Sequence, residues 1–332
     1  MRIVLVTGGA GFIGSHLVEQ LLEGGSAVRV LDNLSTGSLV NLHGAAGHSR
    51  AGGPNRSRLE VVVGDVRDRE VFRKAVRGVK YVFHLAGLPA SAMSMTGPSE
   101  VHAVNVEGTL NVLQGAVTEG VWRVVLGSCA SVYGMPDTIP VSEDAPLRPT
   151  SLFAASKASA ETYCHAFHVR HQLDVVILRY FSVYGPRQRA VAGDSVISSL
   201  IEALRHRRAC AEYDDRSAED FMYVDDAVSA TLAAARAPRA AGRILNIGTG
   251  RMASIAEVAS LLAGLLGTTV VPGLPRKSDT PFRGICAQTA LATELLDFVP
   301  RVSLAGGLAN VVRFVSGTAD LEDVLSPVGP EK

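Results

Sequence analysis

Apolar residues along this chain fall into two kinds of pattern. Short runs dense in Val, Ile and Leu recur as "RIVLVTG", "AVRVLDN", "LEVVVGD", "YVFHLAG", "RVVLGSC" and "VVILRYF". Their apolar character is nearly continuous, which predicts strands buried on both faces. Between them lie "SHLVEQLLEGG", "REVFRKAV" and "EGTLNVLQGAVTEG". These repeat apolar positions at the three- and four-residue spacing of a helix packed on one side. Strand alternating with helix predicts a doubly wound α/β fold with a parallel sheet.

The alternation breaks in two places. Ser35 to Arg58, "STGSLVNLHGAAGHSRAGGPNRSR", is rich in Gly, Ser, Arg and Asn and predicts a surface loop after the second strand. Beyond Gly185 the order is less regular, with helical patterns at "SVISSLIEALRHRR" and "SIAEVASLLAGLLG". That part predicts a smaller C-terminal α/β unit resting on the sheet. The tail ending "SPVGPEK" reads as a frayed end.

Composition narrows the class. The 332 residues are 47% hydrophobic and 19% charged, the profile of a soluble protein of one large or two closely joined domains. Lys plus Arg and Asp plus Glu balance at 32 each, so no net field points to nucleic acid or to an anionic membrane. No apolar run approaches the ~20 residues of a bilayer span, and the N-terminal run turns into glycines rather than a signal peptide. Cys129, Cys164, Cys210 and Cys286 are scattered without a C-x-x-C pair, against a zinc site or a disulfide framework. A reduced, cytoplasmic setting is the expectation.

The first strand and helix carry chemistry. "VTGGAGFIGSHLVEQLL" sets Gly8, Gly11 and Gly14 between them. Glycines there allow a tight turn and close approach of backbone to a pyrophosphate, and the helix opening at Phe12 and Ile13 aims its dipole and free N–H groups at phosphate. Asp32 ends the second strand 18 residues after Gly14. A carboxylate there accepts from ribose hydroxyls and repels a 2′-phosphate, which selects NAD over NADP. Asp65, ending the third strand beside Val66, is placed to receive the adenine amino group. "HLAG" ends the fourth with small residues, Leu85, Ala86 and Gly87, against which a cofactor can lie. His84, among apolar neighbours, reads as a satisfied structural histidine.

These motifs, with "NVEGTLNVL", "SVYG", "AASK", "RYFSVYGPRQR", "DFMYVDDAV" and "LNIGTG" in order, resemble the extended short-chain dehydrogenase/reductases, specifically the NAD-dependent nucleotide-sugar epimerases and dehydratases. The resemblance covers nearly the whole chain. It implies a Rossmann-type domain over residues 1–181 with a return segment near 220–248. A nucleotide-sugar domain then spans 182–219 and 249–325. It also implies bound NAD, a UDP- or dTDP-sugar substrate and a homodimer built on a four-helix bundle. Asn33, Ser35, Thr36, Gly37, Asn105, Ser128, Lys157, Tyr180 and Val183 join the cofactor contacts on the same ground. Catalysis in the family begins with oxidation at sugar C4, and a tyrosine takes the hydroxyl proton while a lysine four residues later lowers its pKa.

Here Lys157 stands in place, but Phe153 occupies the tyrosine position and Cys129 the position of the partner Ser or Thr. Ser182 replaces the asparagine of "RYFN", and Glu219 replaces an arginine that grips the diphosphate. Arg189, Arg216, Arg283 and Ser131 remain as substrate contacts, with Arg216 as a substitute charge. Three readings follow: a Tyr-to-Phe inactivated form, a divergent enzyme using Cys129 or Tyr133 as acid/base, and a protein that binds NAD and nucleotide sugar without turnover. Ala130 and Ser131 stand where 4,6-dehydratases carry an Asp-Glu pair, and Ser131 where decarboxylases carry Glu. A 4-epimerase of UDP-hexoses, UDP-N-acetylhexosamines or UDP-hexuronates is therefore favoured over a dehydratase or decarboxylase.

Overall fold

The computed structural model describes residues 3–47, 58–90, 97–189, 195–208, 217–270 and 283–317. Six strands lie where the apolar runs predict them: β1 (Ile3–Thr7), β2 (Ala27–Asp32), β3 (Leu59–Val63), β4 (Val79–His84), β5 (Arg123–Cys129) and β6 (Val175–Tyr180). Helix α1 (Phe12–Glu23) follows β1, α2 (Val40–Gly47) follows β2 and α3 (Arg69–Val76) follows β3. Between β4 and β5 lie α4 (Pro98–His102), a π turn (Ala103–Glu107) and α5 (Gly108–Thr118), and α6 (Leu152–His171) precedes β6. The remaining elements are β7 (Ser182–Tyr184), α7 (Val196–Arg205), β8 (Ser217–Glu219), β9 (Phe221–Tyr223), α8 (Val224–Arg236), β10 (Ile244–Ile247), β11 (Ala253–Ser254), α9 (Ile255–Leu266), β12 (Arg283–Ile285), α10 (Ala290–Leu296) and α11 (Leu304–Gly317).

The central sheet has seven strands in the order β10-β6-β5-β4-β1-β2-β3, and every pair in it is parallel. All six residues of β6 are buried, as a strand covered on both faces requires, whereas no residue of the edge strand β3 is buried, which corrects the expectation for its run. The strand order turns at β1 and β4, one reaching out to β2 and β3 and the other to β5 and β6. That switch point is where a crevice opens at the carboxyl ends of an α/β sheet. β10 closes the edge beside β6, so the chain returns to this sheet after residues 182–243. Two smaller sheets, β11-β8-β12 and β7-β9, stand beyond the same carboxyl edge.

Local chemistry sets the helix ends. Asp68 caps α3 by accepting from the Glu70 and Val71 N–H groups, and Ser151 caps α6 through Ala154 N. Gln172 ends α6 in the left-handed region at φ 53°, a conformation that relieves the last turn.

Two local expectations are corrected. The stretch from Ser35 to Arg58 is not wholly loop, because Val40–Gly47 is helical and Leu42 is buried in the core. Its glycines hide an apolar position that packing against α1 rewards. The helix expected from Glu107 is preceded by five helical residues from Pro98 and a π turn, which set Asn105 facing inward. Residues 48–57 of the predicted loop, and the predicted frayed tail beyond residue 317, lie outside the described residues.

Candidate active site

A cleft of about 550 Å³ opens at the carboxyl ends of β1, β2, β4, β5 and β6. Its floor is the turn from β1 into α1. Gly8 has φ +71°, and a Cβ there would lie 2.6 Å from Ala86 N, so only glycine lets the two strand ends approach. A Cβ on Gly14 would collide with the Gly8 carbonyl oxygen. Gly11, Phe12, Ile13 and Gly14 line the cleft at the start of α1, where the first-turn N–H groups have no acceptor within the helix.

Asp32 is 7% exposed and lines the cleft. Its carboxylate accepts from Ala10 N at 2.9 Å and from Leu34 N at 2.8 Å. Each oxygen keeps a second lone pair for a ligand hydroxyl. These features fit a dinucleotide: a close backbone floor, an anion-seeking helix start and a fixed carboxylate one strand away. Asn33, Ser35, Thr36, Val66, Leu85, Ala86, Gly87, Ser128 and Tyr180 also line the cleft.

Four predicted cofactor residues, Gly37, Asp65, Asn105 and Val183, are not among the residues that line the cleft. Gly37 packs on the glycine turn, where a Cβ would lie 2.9 Å from Ala10. Both Asp65 oxygens are engaged, by the Arg67 guanidinium and by Asn33 Nδ2, and that pairing holds its carboxyl down at about 2. Asn105 is 2% exposed; its Oδ1 accepts from Leu88 N at 2.8 Å and its Nδ2 donates to Ser156 Oγ at 3.0 Å. It thus ties the strand-end segment after β4 to α6 from behind the cleft wall. Val183 lies in β7, and its carbonyl accepts from Gln188 Nε2, which lines the cleft, at 3.0 Å.

Cys129, Phe153 and Lys157 share one wall. Phe153 and Lys157 are one turn apart on α6. Lys157 Nζ donates to the Gly127 carbonyl oxygen at 2.6 Å, and its burial pushes the ammonium pKa down. Cys129 Sγ lies 2.7 Å from Ser131 Oγ, which is solvent-exposed. Burial pushes the Cys129 thiol up, only partly offset by Lys157.

Tyr133 is excluded from acid/base work at this wall. It is fully buried, and its hydroxyl donates to Asn246 Oδ1 at 2.6 Å while accepting from Arg179 at 2.8 Å. His84 is equally enclosed. Thr109 Oγ1 donates to the Asn105 carbonyl, so His84 Nε2 donates to Thr109 and Nδ1 accepts from Thr7 Oγ1 at 2.7 Å. The ring is neutral, its pKa lowered to about 3 by burial.

Of the positions predicted to contact substrate, Ser182 donates to the Glu219 carboxylate, and burial raises the Glu219 pKa. Neither residue lines the cleft. Arg189 does, and its guanidinium reaches the Thr36 carbonyl across the mouth at 3.4 Å. Arg283 lies in β12 in register with Ser217, and Arg216 lies outside the described residues. Arg187 and Gln188 line the cleft without having been singled out in the sequence. Their signal was available in "YGPRQR", where Arg187 sits at φ 67° and reaches Glu19 of α1 at 2.9 Å. Asn41 also lines it, from the helix hidden in the expected loop.

The profile of the NAD dependent epimerase/dehydratase family matches residues 4–248. UDP-glucose 4-epimerase of Mycolicibacterium smegmatis is 36% identical over 93% of this chain and 97% of its own length. Among solved structures, UDP-glucose 4-epimerase of Thermotoga maritima with UDP-glucose superposes with a TM-score of 0.84 at 31% identity, covering 95% of this chain and 99% of that one. MoeE5 in complex with UDP-glucose and NAD gives 0.80 at 35% identity, covering 94% and 98%. No described helix is long and apolar enough to cross a membrane.

Proposed function

The chain belongs to the NAD dependent epimerase/dehydratase family, and on that premise we propose that it is a 4-epimerase of UDP-linked sugars that works through a transient 4-keto sugar. NAD, when bound, supplies the hydride acceptor and donor. The chain's own residues must then bind the sugar nucleotide, present its C4 and move one proton. The observation that carries this reading is that Cys129, Phe153 and Lys157 line the same cleft as the glycine turn and Asp32.

Phe153 carries no proton, so the thiol of Cys129 takes the proton role, with Ser131 Oγ at 2.7 Å as its link to solvent. A raised thiol pKa keeps Cys129 protonated at rest, so it must first pass that proton through Ser131 to solvent before it accepts the one from the C4 hydroxyl. As a base it depends on the positive charge of Lys157 beside it. Phe153 then serves as a flat apolar surface on which the 4-keto ring can turn over. Arg189 lies at the cleft mouth to meet the diphosphate, and we assign Ser182, Arg216 and Arg283 to the sugar-nucleotide side. Small residues at Ala130 and Ser131 supply no acid for 4,6-elimination, which favours epimerisation over dehydration.

A second reading has its own support. A thiol held protonated by burial is a poor base, and a chain that binds NAD and sugar nucleotide without turnover has the same wall. Incubation with UDP-glucose, UDP-N-acetylglucosamine and UDP-glucuronate, followed by separation of products, decides between the two. Exposed apolar side chains on neighbouring helices, Val117 of α5 and Tyr163 and Val169 of α6, support a homodimer packed through those helices. Light scattering after size exclusion tests it by giving the mass of two chains or one.

A further inference from the structure

Beneath the proposed catalytic wall lies a buried charge that the reaction, as described so far, does not use. Glu161 stands one turn after Lys157 on α6 and is 3% exposed. Lys157 holds β5 at Gly127, through its 2.6 Å bond to that carbonyl. Glu161 holds the next residue, accepting from Ser128 Oγ. Cys129 follows directly. One face of α6 therefore grips two consecutive residues of β5, Gly127 and Ser128, just before Cys129, with Phe153, Lys157 and Glu161 spaced a turn apart.

Glu161 is itself fixed from the opposite side. Arg179 of β6, in register with Ser128, donates from Nε to Oε1 and Oε2 at 3.1 Å each and from Nη2 to Oε2 at 2.7 Å. The guanidinium is held in turn by the Tyr133 hydroxyl at 2.8 Å and the Glu143 carbonyl at 3.1 Å, and it lies 4.7 Å from the Tyr133 ring centre. A buried ion pair of this kind adds little to stability compared with a well-packed apolar pair. Its place beside the cleft suits another role.

We propose that Glu161 is a positioning residue for the reaction: it fixes the β5 end that presents Cys129 and, with Arg179 locking its carboxylate, sets the charge felt by Lys157 and the thiol. The groups facing this point are few. Lys157 meets Cys129 from β5, Glu161 and Cys164 from α6, and His84 from β4. Cys129 meets Lys157 and Glu161 from α6 and Ser131 from its own turn. A negative charge under both favours the ammonium of Lys157 and disfavours the thiolate of Cys129. The thiol is thus kept as a proton carrier rather than an exposed nucleophile. The proposal rests on the reading that Cys129 and Lys157 act on substrate, but its test does not need turnover.

The test is the pH dependence of Cys129 alkylation by iodoacetamide, followed at its own peptide by mass spectrometry, in wild type, Glu161→Gln and Glu161→Asp. Glu161→Gln should move the midpoint down by about one pH unit, so that alkylation below it runs about tenfold faster. Glu161→Asp, which keeps the charge, should return the midpoint toward wild type. If Glu161→Gln does not fold, the double variant Glu161→Gln, Arg179→Gln leaves no unpaired buried charge; one charge of each sign is lost, so a smaller downward shift is expected in it, with Glu161 the one coupled to Cys129. A folded variant with an unchanged midpoint overturns the proposal. Should the chain show no epimerase activity while the midpoint still shifts, the functional reading fails and the charge-setting role of Glu161 stands.

Discussion

Lys157 Nζ donates to the carbonyl oxygen of Gly127 at 2.6 Å, so this cation of the cleft is anchored to the strand that ends in Cys129. This bond fixes where positive charge sits relative to the thiol and the Phe153 ring. On the proposed reading, turnover depends on what the side chain at 129 does with a proton, because the phenyl ring at 153 carries none.

Substitution at these two positions separates a divergent enzyme from an inactivated one. Cys129→Ala should lower kcat at least ~100-fold if the thiol moves the proton, whereas Phe153→Tyr should alter kcat only slightly. A large gain with Phe153→Tyr and no loss with Cys129→Ala would instead identify the phenyl ring as a lost catalytic group. Steady-state kinetics on one UDP-sugar, with folding checked by circular dichroism, gives both numbers.

Cofactor binding should hinge on Asp32. Its carboxylate holds Ala10 N and Leu34 N and faces the cleft. Asp32→Ala removes charge-assisted hydrogen bonds worth about 1.5–3 kcal/mol each, so the Kd for NAD should rise at least ~10-fold. Titration calorimetry on cofactor-free protein measures it.

Gly8→Ala attacks the floor of the same site. The φ of +71° and the 2.6 Å approach of a Cβ to Ala86 N oppose any side chain. The backbone strain costs about 1–3 kcal/mol, read as a lower urea midpoint, and the displaced Ala86 segment should abolish measurable NAD binding.

Asp65 gives a pH-dependent stability. Its carboxyl is held at about 2 against an ordinary 3.8, chiefly by the Arg67 hydrogen bonds. The folded value is the lower one, so the contribution is present in full above the ordinary value and is lost as pH falls through the folded value. Urea unfolding of wild type and Asp65→Asn should therefore differ most at neutral pH, and the gap should close between about pH 4 and pH 2.

Much of the fold is legible in the sequence because parallel strands need unbroken apolar runs and helices need periodic ones. Ile3–Thr7, Ala27–Asp32 and Val175–Tyr180 fall inside the runs that mark them. Helix Val40–Gly47 is hidden because the deeply buried Leu42 stands among glycines and polar residues in the sequence. Glycine spacing reveals the cofactor floor, since a backbone requirement leaves its mark in residue type. Side-chain partnerships leave no such mark. The sequence puts Asp65 at a strand end but cannot show that Arg67 and Asn33 take both its oxygens. Likewise Glu161 is an ordinary helix residue until Ser128 and Arg179 are seen on either side of it.

The most direct test of the central claim is conversion of a UDP-sugar into its C4 epimer by the NAD-loaded protein, with the product separated and identified. Purified protein given UDP-glucose, UDP-N-acetylglucosamine and UDP-glucuronate in parallel should convert at least one of them to the 4-epimer, and Cys129→Ala should convert none. No epimer from any of the three, with NAD demonstrably bound, would contradict the account.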